Sequence, residues 1–154
     1  MGDVIRLRRH LSSEQQEIVQ HAGVVLRPQA ITDPEKLHAL LADAYGNGFG
    51  SVPAFEQWWP AISRDDEYDP ALLFIAADHN DQPIGLALCW NSGFIKDLAV
   101  APAWRGRGIA EALLATAFNA FRRRGLLHVD LKVMSVNENA RRLYHRVGMV
   151  EVPL

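Results

Sequence analysis

The sequence lacks several features that mark specialised classes of protein. Cysteine occurs once, at Cys89, which excludes an intrachain disulfide and any cysteine-rich zinc site. Positive charge is not in excess, because 16 Lys and Arg stand against 18 Asp and Glu, so we expect no nucleic-acid partner. No apolar run approaches the ~18 residues of a membrane span, and the polar start of the chain has no apolar signal segment. We therefore expect a soluble protein without a membrane partner, in a reducing compartment and most simply the cytosol.

The composition that is present is typical of an ordinary globular domain. Hydrophobic residues make up 49% of the 154 residues and charged residues 22%, which is enough apolar side chain to offset the entropy of ordering. A chain of this length corresponds to one domain and buries roughly 70% of its unfolded surface. We predict a single domain over residues 1–154.

Hydrophobic periodicity and turn residues predict alternating strands and helices. In chain order these are a strand at 3–8, a helix from 12 or 13 to about 21, a strand at 24–28, a helix that starts near 33 and is broken by the glycines of 46–50, a helix at 53–62, strands at 71–77, 84–90 and 94–100, a helix at 106–124, a strand at 127–134, a helix at 138–147 and a strand at 149–152. The fold class is therefore α/β, with one mixed (α+β) sheet. The helix between the strands at 94–100 and 127–134 requires these two to pair in parallel. A ligand crevice is expected beyond the carboxyl end of the strand at 94–100.

The most informative segment is the glycine-containing loop that follows this strand. Gly106 and Gly108 keep side chains away from the start of the next helix, where unpaired N–H groups and the helix dipole favour an anion. Arg105 and Arg107 add positive charge. The segment differs from a P-loop and from the dinucleotide pattern. Alternatively, the glycines serve only a tight turn and the arginines are solvated.

Two segments of the chain carry recognisable motifs. Arg105-Gly106-Arg107-Gly108-Ile109-Ala110 matches R/Q-x-x-G-x-G/A, which resembles a signature of the GNAT superfamily of acyl-CoA-dependent N-acyltransferases. The second signature, N-x-x-A-x-x-L-Y-x-x-x-G-F, is similar to the segment from Asn137 to Met149, with Met149 in place of Phe. The two motifs lie in the family's order and cover about residues 94–150. Because both occur at the expected separation, the chain resembles this family far more specifically than either motif alone would indicate.

The resemblance implies a fold and a donor site. The fold is a GNAT-like mixed sheet with splayed parallel strands and about four or five helices, in which residues 94–152 form the acyl-CoA-binding core and 1–23 an N-terminal extension. The backbone of the loop would bind the CoA pyrophosphate, with the two arginine side chains nearby, and the end of the preceding strand and one asparagine would contact the pantetheine arm. These cofactor-binding residues are Leu98, Ala99, Val100, Arg105, Gly106, Arg107, Gly108, Ile109, Ala110 and Asn137.

Two residues are candidates for proton transfer. The resemblance gives Tyr144 the role of the acid that protonates the leaving thiolate, which suits a phenol with a pKa of ~10. Tyr144 is otherwise a core aromatic residue on a helix face. Asp97 is an acid in an apolar strand and a candidate base for the acceptor amine, or otherwise the partner of a salt bridge with Lys96 or an arginine.

The acceptor pocket is expected between the two early helices and the three consecutive strands. Candidate lining residues are Tyr45, Asn47, Phe49, Trp58, Trp59, Trp90 and Asn91, each of which could instead be core. The acidic loop at 65–69 is either solvated or attracts a cationic acceptor. Cys89 lies in an apolar strand and is expected to be inert. The histidines show no metal-ligand spacing, so no metal is predicted.

The function that these features imply is acetyl-CoA-dependent N-acetylation, with direct transfer of acetyl from the thioester to a primary amine of a small molecule or peptide. Two alternatives stay open: a non-catalytic acyl-CoA-binding domain, and transfer to a protein N-terminus or lysine. The resemblance also leaves a homodimer open, because dimers are common in the superfamily.

The end of the given sequence departs from the family pattern. It stops after Val152-Pro153-Leu154, where family members usually have another strand. That strand is apparently missing, which would leave a sheet edge bare. We predict that the segment at 3–8, from this chain or a partner, covers that edge.

Overall fold

The computed structural model describes residues 3–12, 14, 17–18, 23–28, 33–47 and 51–154. In chain order, the strands and α-helices within these ranges are β1 (Val4–His10), β2 (Val25–Pro28), α1 (Pro34–Ala44), α2 (Phe55–Ser63), β3 (Tyr68–Ala77), β4 (Pro83–Trp90), β5 (Phe94–Val100), α3 (Ile109–Arg123), β6 (His128–Met134), α4 (Glu138–Arg146) and β7 (Val150–Val152). Short 3-10 turns follow α1 and β5, at Tyr45–Asn47 and Pro102–Trp104. None of the helices in these ranges is long and apolar enough to cross a membrane.

The strands form one mixed sheet in the order β2-β3-β4-β5-β6-β1-β7. The pairs β2–β3, β3–β4 and β4–β5 are antiparallel. β5 pairs in parallel with β6, and α3 is the crossover between these two strands. The predicted α/β class and the parallel pair are confirmed.

Helices cover the two faces of this sheet. α3 packs its apolar side on one face, where Leu113, Phe118 and Phe121 are buried together with Tyr144 of α4. α1 and α2 cover β3, β4 and part of β5 on the other face, with Leu37 and Leu41 fully buried. α1 begins as its sequence predicts, because the Asp33 carboxylate caps the helix by accepting from the N–H of Glu35 at 3.0 Å.

The helix predicted from 12 or 13 to about 21 is wrong where the structure describes that segment. Ser12, Glu14, Glu17 and Ile18 lie in no helix, and the other residues fall outside the described part of the chain. The Ser12 hydroxyl accepts from the N–H of Glu14 at 3.3 Å. A serine at this position can thus make a local turn as readily as it caps a helix.

The N-terminal strand β1 lies between the two last strands of the chain. It runs antiparallel to β6 along its whole length, with Leu7 opposite Leu131, and antiparallel to β7, with Leu7 opposite Glu151. The segment predicted at 3–8 therefore lies beside the last strands of the sheet, it comes from the same chain, and β7 is the edge strand.

A buried acid fixes β1 to β6 through two arginines. Asp130 of β6 is 1% exposed. Arg6 contacts one of its carboxylate oxygens at 2.6 Å, and Arg8 contacts both, at 2.8 and 2.9 Å. Burial opposes ionisation, but the hydrogen bonds from Arg8 and then Arg6 outweigh it and lower the pKa of Asp130 to about 2. Ionised Asp130 therefore stabilises the folded sheet.

We expect this carboxylate to make the protein acid-sensitive. The contribution of Asp130 is present above the unfolded-state pKa near 4 and is lost as the pH falls through the folded value of about 2, which corresponds to about 2 kcal/mol. Urea unfolding between pH 6 and pH 2.5 should show this loss in the wild type and not in Asp130→Asn. Asp43→Asn, on the exposed side of α1, is the control, and its free energy of unfolding should depend on pH as that of the wild type does. The same pH dependence in all three proteins would contradict a stabilising role of ionised Asp130.

Candidate active site

A cleft opens where the two parallel strands separate. β5 and β6 pair only at Phe94 with Asp130 and at Ile95 with Leu131, although each strand is seven residues long. Beyond these pairs the strands bound a cleft of about 960 Å³, which α3, α4 and the turn after α1 also line. The splayed parallel strands predicted from the sequence are present.

The glycine loop forms one wall of this cleft. Gly106 and Gly108 have φ of +76° and +80°, a conformation that glycine adopts without strain. A Cβ placed on Gly106 would have no heavy atom within 4 Å, so this wall faces open space. Gly108 is the N-cap of α3, and the N–H groups of the first helical turn have no acceptor within the helix. The wall can therefore receive an anion.

The two arginines of the loop are placed differently from each other. Arg105 lines the cleft, but its guanidinium donates to the carbonyls of Val100 at 3.2 Å and Ala44 at 3.0 Å. Arg107 does not line the cleft and lies over the ring of Trp104, at 4.7 Å from its centroid. The arginines thus brace the loop, and the backbone is the part that faces the cleft.

The exposed edge of β5 offers backbone groups to the cleft. The N–H of Ala101 donates to the carbonyl of Ile84 on β4 at 2.7 Å. Because backbone groups alternate along a strand, those of Ala99 also face β4, and those of Leu98 and Val100 face the cleft. All three predicted residues line the cleft. Two of them carry the backbone groups that an extended ligand could pair with.

A β-bulge in β5 turns Asp97 toward the α1 side of the sheet. Leu88 pairs with Asp97 and Cys89 with Ile95, so Lys96 is the extra residue. The side chain of Asp97 is 11% exposed and lines the cleft. It accepts a hydrogen bond from the hydroxyl of Tyr45 on one oxygen, and the Lys96 ammonium lies 3.3 Å from the other. The salt bridge with Lys96 that the sequence suggested is present.

Tyr144 reaches the cleft from α4, on the opposite side from Tyr45. Its side chain is 9% exposed and packs with the α3 core, yet it also lines the cleft. Burial, with a smaller effect from the charge of Asp97, raises the pKa of Tyr144 to about 12. Its phenol is therefore neutral over the physiological range and can donate a proton.

Asn137 is placed at the start of α4 and lines the same cleft. Its side-chain oxygen caps the helix by accepting from the N–H of Ala140 at 3.3 Å. The amide NH₂ group is the part that can donate to a ligand. The structure thus brings together in one cleft Asp97, Leu98, Ala99, Val100, Arg105, Gly106, Gly108, Ile109, Ala110, Asn137 and Tyr144.

Most of the aromatic residues proposed for the acceptor pocket belong to the core. Trp58, Trp59 and Trp90 pack in the cluster between α1, α2 and the sheet, and none lines the cleft. Their apolar surface is needed to hold the two helices on β3 and β4. Tyr45 does line the cleft, and Asn91 instead donates to the carbonyl of Asp66 in a surface turn. Phe49 and the side chain of Asn47 lie outside the described part of the chain.

Other residues line the cleft although nothing in the sequence predicts them there. Ser51, Lys132 and the ion pair between Glu111 and Arg146 also line it, the pair joining α3 to α4 at 3.1 Å. These residues are polar and lie on exposed positions, so nothing in their spacing distinguishes them. Cys89 is fully buried, and burial raises the pKa of its thiol well above the usual range. Among the described residues, no three His, Cys, Asp or Glu side chains come together as a metal site.

Comparison with known proteins agrees with this geometry. Residues 35–149 match the model of the Acetyltransferase (GNAT) family. The chain belongs to the GNAT family. A GNAT structure from Sphaerobacter thermophilus superposes with a TM-score of 0.81 at 28% identity, covering 97% of this chain and 48% of that one.

Two curated relatives are enzymes by name. Streptothricin acetyltransferase of Streptomyces lavendulae is 42% identical in an alignment of 123 residues, which covers 69% of this chain and 65% of that protein. N-alpha-acetyltransferase 30 of Schizosaccharomyces pombe is 32% identical in an alignment of 87 residues, which covers 51% of this chain and 57% of that protein. The chain therefore spans somewhat less than two thirds of each of these relatives.

Proposed function

We propose that this GNAT protein is an acetyl-CoA-dependent N-acetyltransferase that passes the acetyl group directly to a primary amine of a small molecule or peptide. The observation that carries the proposal is the single cleft, in which an anion-binding loop, a strand edge, a neutral phenol and a carboxylate face one another. The acetyltransferase names of the two relatives support the same chemistry.

The donor half of the cleft fits CoA. Acetyl-CoA would supply an acetyl group activated as a thioester. The N–H groups from Gly106 to Ala110 and the dipole of α3 would hold its pyrophosphate. Leu98 and Val100 would pair with the pantetheine arm as an added strand does, and Asn137 would donate its amide N–H. Residues 94–152 would thus provide the donor site.

Two side chains would move the protons. A primary amine with a pKa of ~10 reaches the cleft as an ammonium ion and must lose a proton before its nitrogen can attack the thioester carbon. Asp97 would accept this proton, directly or through water. As the nitrogen–carbon bond forms and the carbon–sulfur bond breaks, Tyr144 would donate its proton to the sulfur. The reaction releases one net proton, because the second N–H proton of the amine replaces the one lost by Tyr144.

The acceptor would approach from the side of the cleft formed by Tyr45, Ser51 and Asp97. A small-molecule amine is the first candidate, because the relative named for streptothricin matches over the longer stretch of this chain. A protein N-terminus is the second candidate, since the relative from Schizosaccharomyces pombe is named as an N-alpha-acetyltransferase.

The test is an acceptor screen in which a thiol reagent detects released CoA. The panel contains streptothricin, aliphatic diamines, amino acids and short peptides with free N-termini. Acetyl-CoA-dependent thiol release with at least one of them is the expected result. Calorimetry that shows CoA binding, together with no release across the panel, would instead favour a non-catalytic binding domain.

Gly108→Ala tests the donor loop separately. A methyl group at φ of +80° costs roughly 1–2 kcal/mol and moves the N–H groups of the loop, so we expect the Kd for acetyl-CoA to rise about tenfold or more. Gly125→Ala is a matched control, since Gly125 has a φ of +82° at the other end of α3 and lies outside the cleft lining. Equal calorimetric affinities for the two variants would contradict a pyrophosphate site at the loop.

A cytosolic location and a homodimer stay predictions. Light scattering coupled to gel filtration measures the oligomeric state directly.

A further inference from the structure

The acceptor side of the cleft contains a contact that the proposed mechanism does not yet use. Tyr45, the first residue of the 3-10 turn after α1, donates its hydroxyl to Asp97 of β5. The backbone N–H of Tyr45 bonds back to the carbonyl of Leu41, and Leu41 is fully buried against the sheet. The tyrosine is thus held by the helix, and its hydroxyl reaches a strand that is 52 residues away in sequence.

We propose that Tyr45 is a positioning residue, which holds the Asp97 carboxylate so that its second oxygen receives the proton of the acceptor ammonium. This inference rests on the proposed function and names the residue that orients its base. The hydroxyl of Tyr45 donates a hydrogen bond to one carboxylate oxygen of Asp97. The other oxygen has a primary ammonium, that of Lys96, at 3.3 Å. A primary ammonium therefore already lies beside the carboxylate oxygen that Tyr45 does not contact.

The bulge in β5 explains why such a residue is needed. Because Lys96 is the extra residue, Asp97 lies where the regular pairing with β4 is interrupted and the parallel strands separate. At Asp97, strand β5 is therefore paired with β4 on one side and with no strand on the other side, which faces the cleft. A fixed donor on the α1 side keeps the carboxylate from turning fully toward Lys96.

Tyr45 is suited to act as a permanent donor. Burial, followed by the charge and the hydrogen bond of Asp97, raises the pKa of Tyr45 above its usual range. Its hydroxyl therefore keeps its proton at neutral pH and can donate it to the Asp97 carboxylate. A phenylalanine at this position would preserve the packing of the ring and remove only the donor.

The charge environment of Asp97 includes groups from several elements. Lys96 is on its own strand, Cys89 is on β4, Tyr45 follows α1 and Tyr144 is on α4. Farther along the cleft lie Arg105, Glu111, Lys132 and Arg146. Glu111 and Arg146 neutralise each other, and Arg105 is bonded to two carbonyls. Tyr45 and Lys96 are therefore the neighbours that act on Asp97 through direct contact.

The experiment compares the wild type with Tyr45→Phe in two measurements. The first is the ¹³C NMR chemical shift of the Asp97 carboxyl carbon at pH 7, with Asp97→Asn used to assign the signal. The second is the pair of constants kcat and KM with an acceptor found in the screen. We expect the Asp97 signal to move and kcat to fall about tenfold with little change in KM, because the carboxylate has lost the donor that orients it. The Kd for acetyl-CoA should not change.

Tyr68→Phe is the matched control. Tyr68 packs in the same core cluster as Tyr45, and its ring centroid lies 5.7 Å from that of Trp59. It does not line the cleft. It should leave both measurements at their wild-type values. In the Asp97→Asn background, Tyr45→Phe should cause little further loss of activity, because the two residues act as one unit.

The outcomes that contradict the positioning role of Tyr45 differ from the one that contradicts the proposed function. An unchanged Asp97 carboxyl signal in Tyr45→Phe overturns the positioning role, whether or not the protein is active. The same fold loss of kcat in the Asp97→Asn background as in the wild-type background also overturns it, because Tyr45 would then act independently of Asp97. If the wild type acetylates nothing, the proposed function fails, and the Asp97 carboxyl signal alone decides the contact between Tyr45 and Asp97.

Discussion

Tyr144→Phe is expected to lower kcat by about 100-fold or more without unfolding the protein. The ring of Tyr144 packs with the α3 core, and the phenylalanine ring keeps that packing. The change removes the phenol proton that Tyr144 offers to the cleft from α4. Without it, the sulfur must leave as an unprotonated thiolate or take a proton from water.

The comparison needs readouts that separate chemistry from binding. Thermal unfolding and the Kd for acetyl-CoA should stay close to the wild-type values, so the loss appears in kcat. Because the pKa of Tyr144 is raised to about 12, its ionisation should cause no fall in the wild-type rate below about pH 10. Normal turnover by the variant would show that another group, or water, protonates the leaving sulfur.

Removal of residues 1–10 is expected to abolish the native fold. The deletion eliminates β1, which pairs with both β6 and β7, and takes away the buried side chain of Leu7. It also leaves Asp130 without its two arginines. An unpaired buried charge alone costs several kcal/mol, which is a large part of the 5–15 kcal/mol that stabilises a typical domain.

Circular dichroism and urea unfolding test this expectation. A chain that lacks only residues 1 and 2 keeps all of β1 and the 2.7 Å bond from the N–H of Ser135 to the carbonyl of Asp3, so it is the control and should unfold with the same midpoint as the full chain. Asp130→Leu in the truncated chain removes the unpaired charge and should recover part of the lost stability. A truncated chain with native spectra and a midpoint near that of the full chain would contradict a structural role for β1.

The parts of the fold that local chemistry determines could be predicted from the sequence. The cap at Asp33 and the apolar face of α1 predicted that helix, and the glycine loop predicted the start of α3. The two motifs predicted the cleft, because their residues lie next to one another in sequence on β5, the loop and α4. The exception was the segment after Ser12, where a capping residue also serves a turn.

Features that depend on contacts distant in sequence could not be predicted. Nothing local shows that Lys96 forms a bulge, yet the bulge decides which way Asp97 points. The partner of Asp97, Tyr45, is 52 residues away and was expected only as a lining residue. Trp58 and Arg107 were expected at the site from their residue types and sequence positions. Trp58 instead packs in the core and Arg107 lies over the ring of Trp104.

The place of β1 in the sheet also has a consequence for the order of events during synthesis. Arg8 leaves the ribosome 122 residues before its partner Asp130, an interval on the order of ten seconds at typical rates of translation. During that time β1 has no strand to pair with, although its basic side chains help to keep it solvated. β1 is made long before its partner strands and must therefore be among the last strands to dock. Pairing over such a separation is slow, so closure of the sheet should limit the rate at which the newly made chain reaches its native fold.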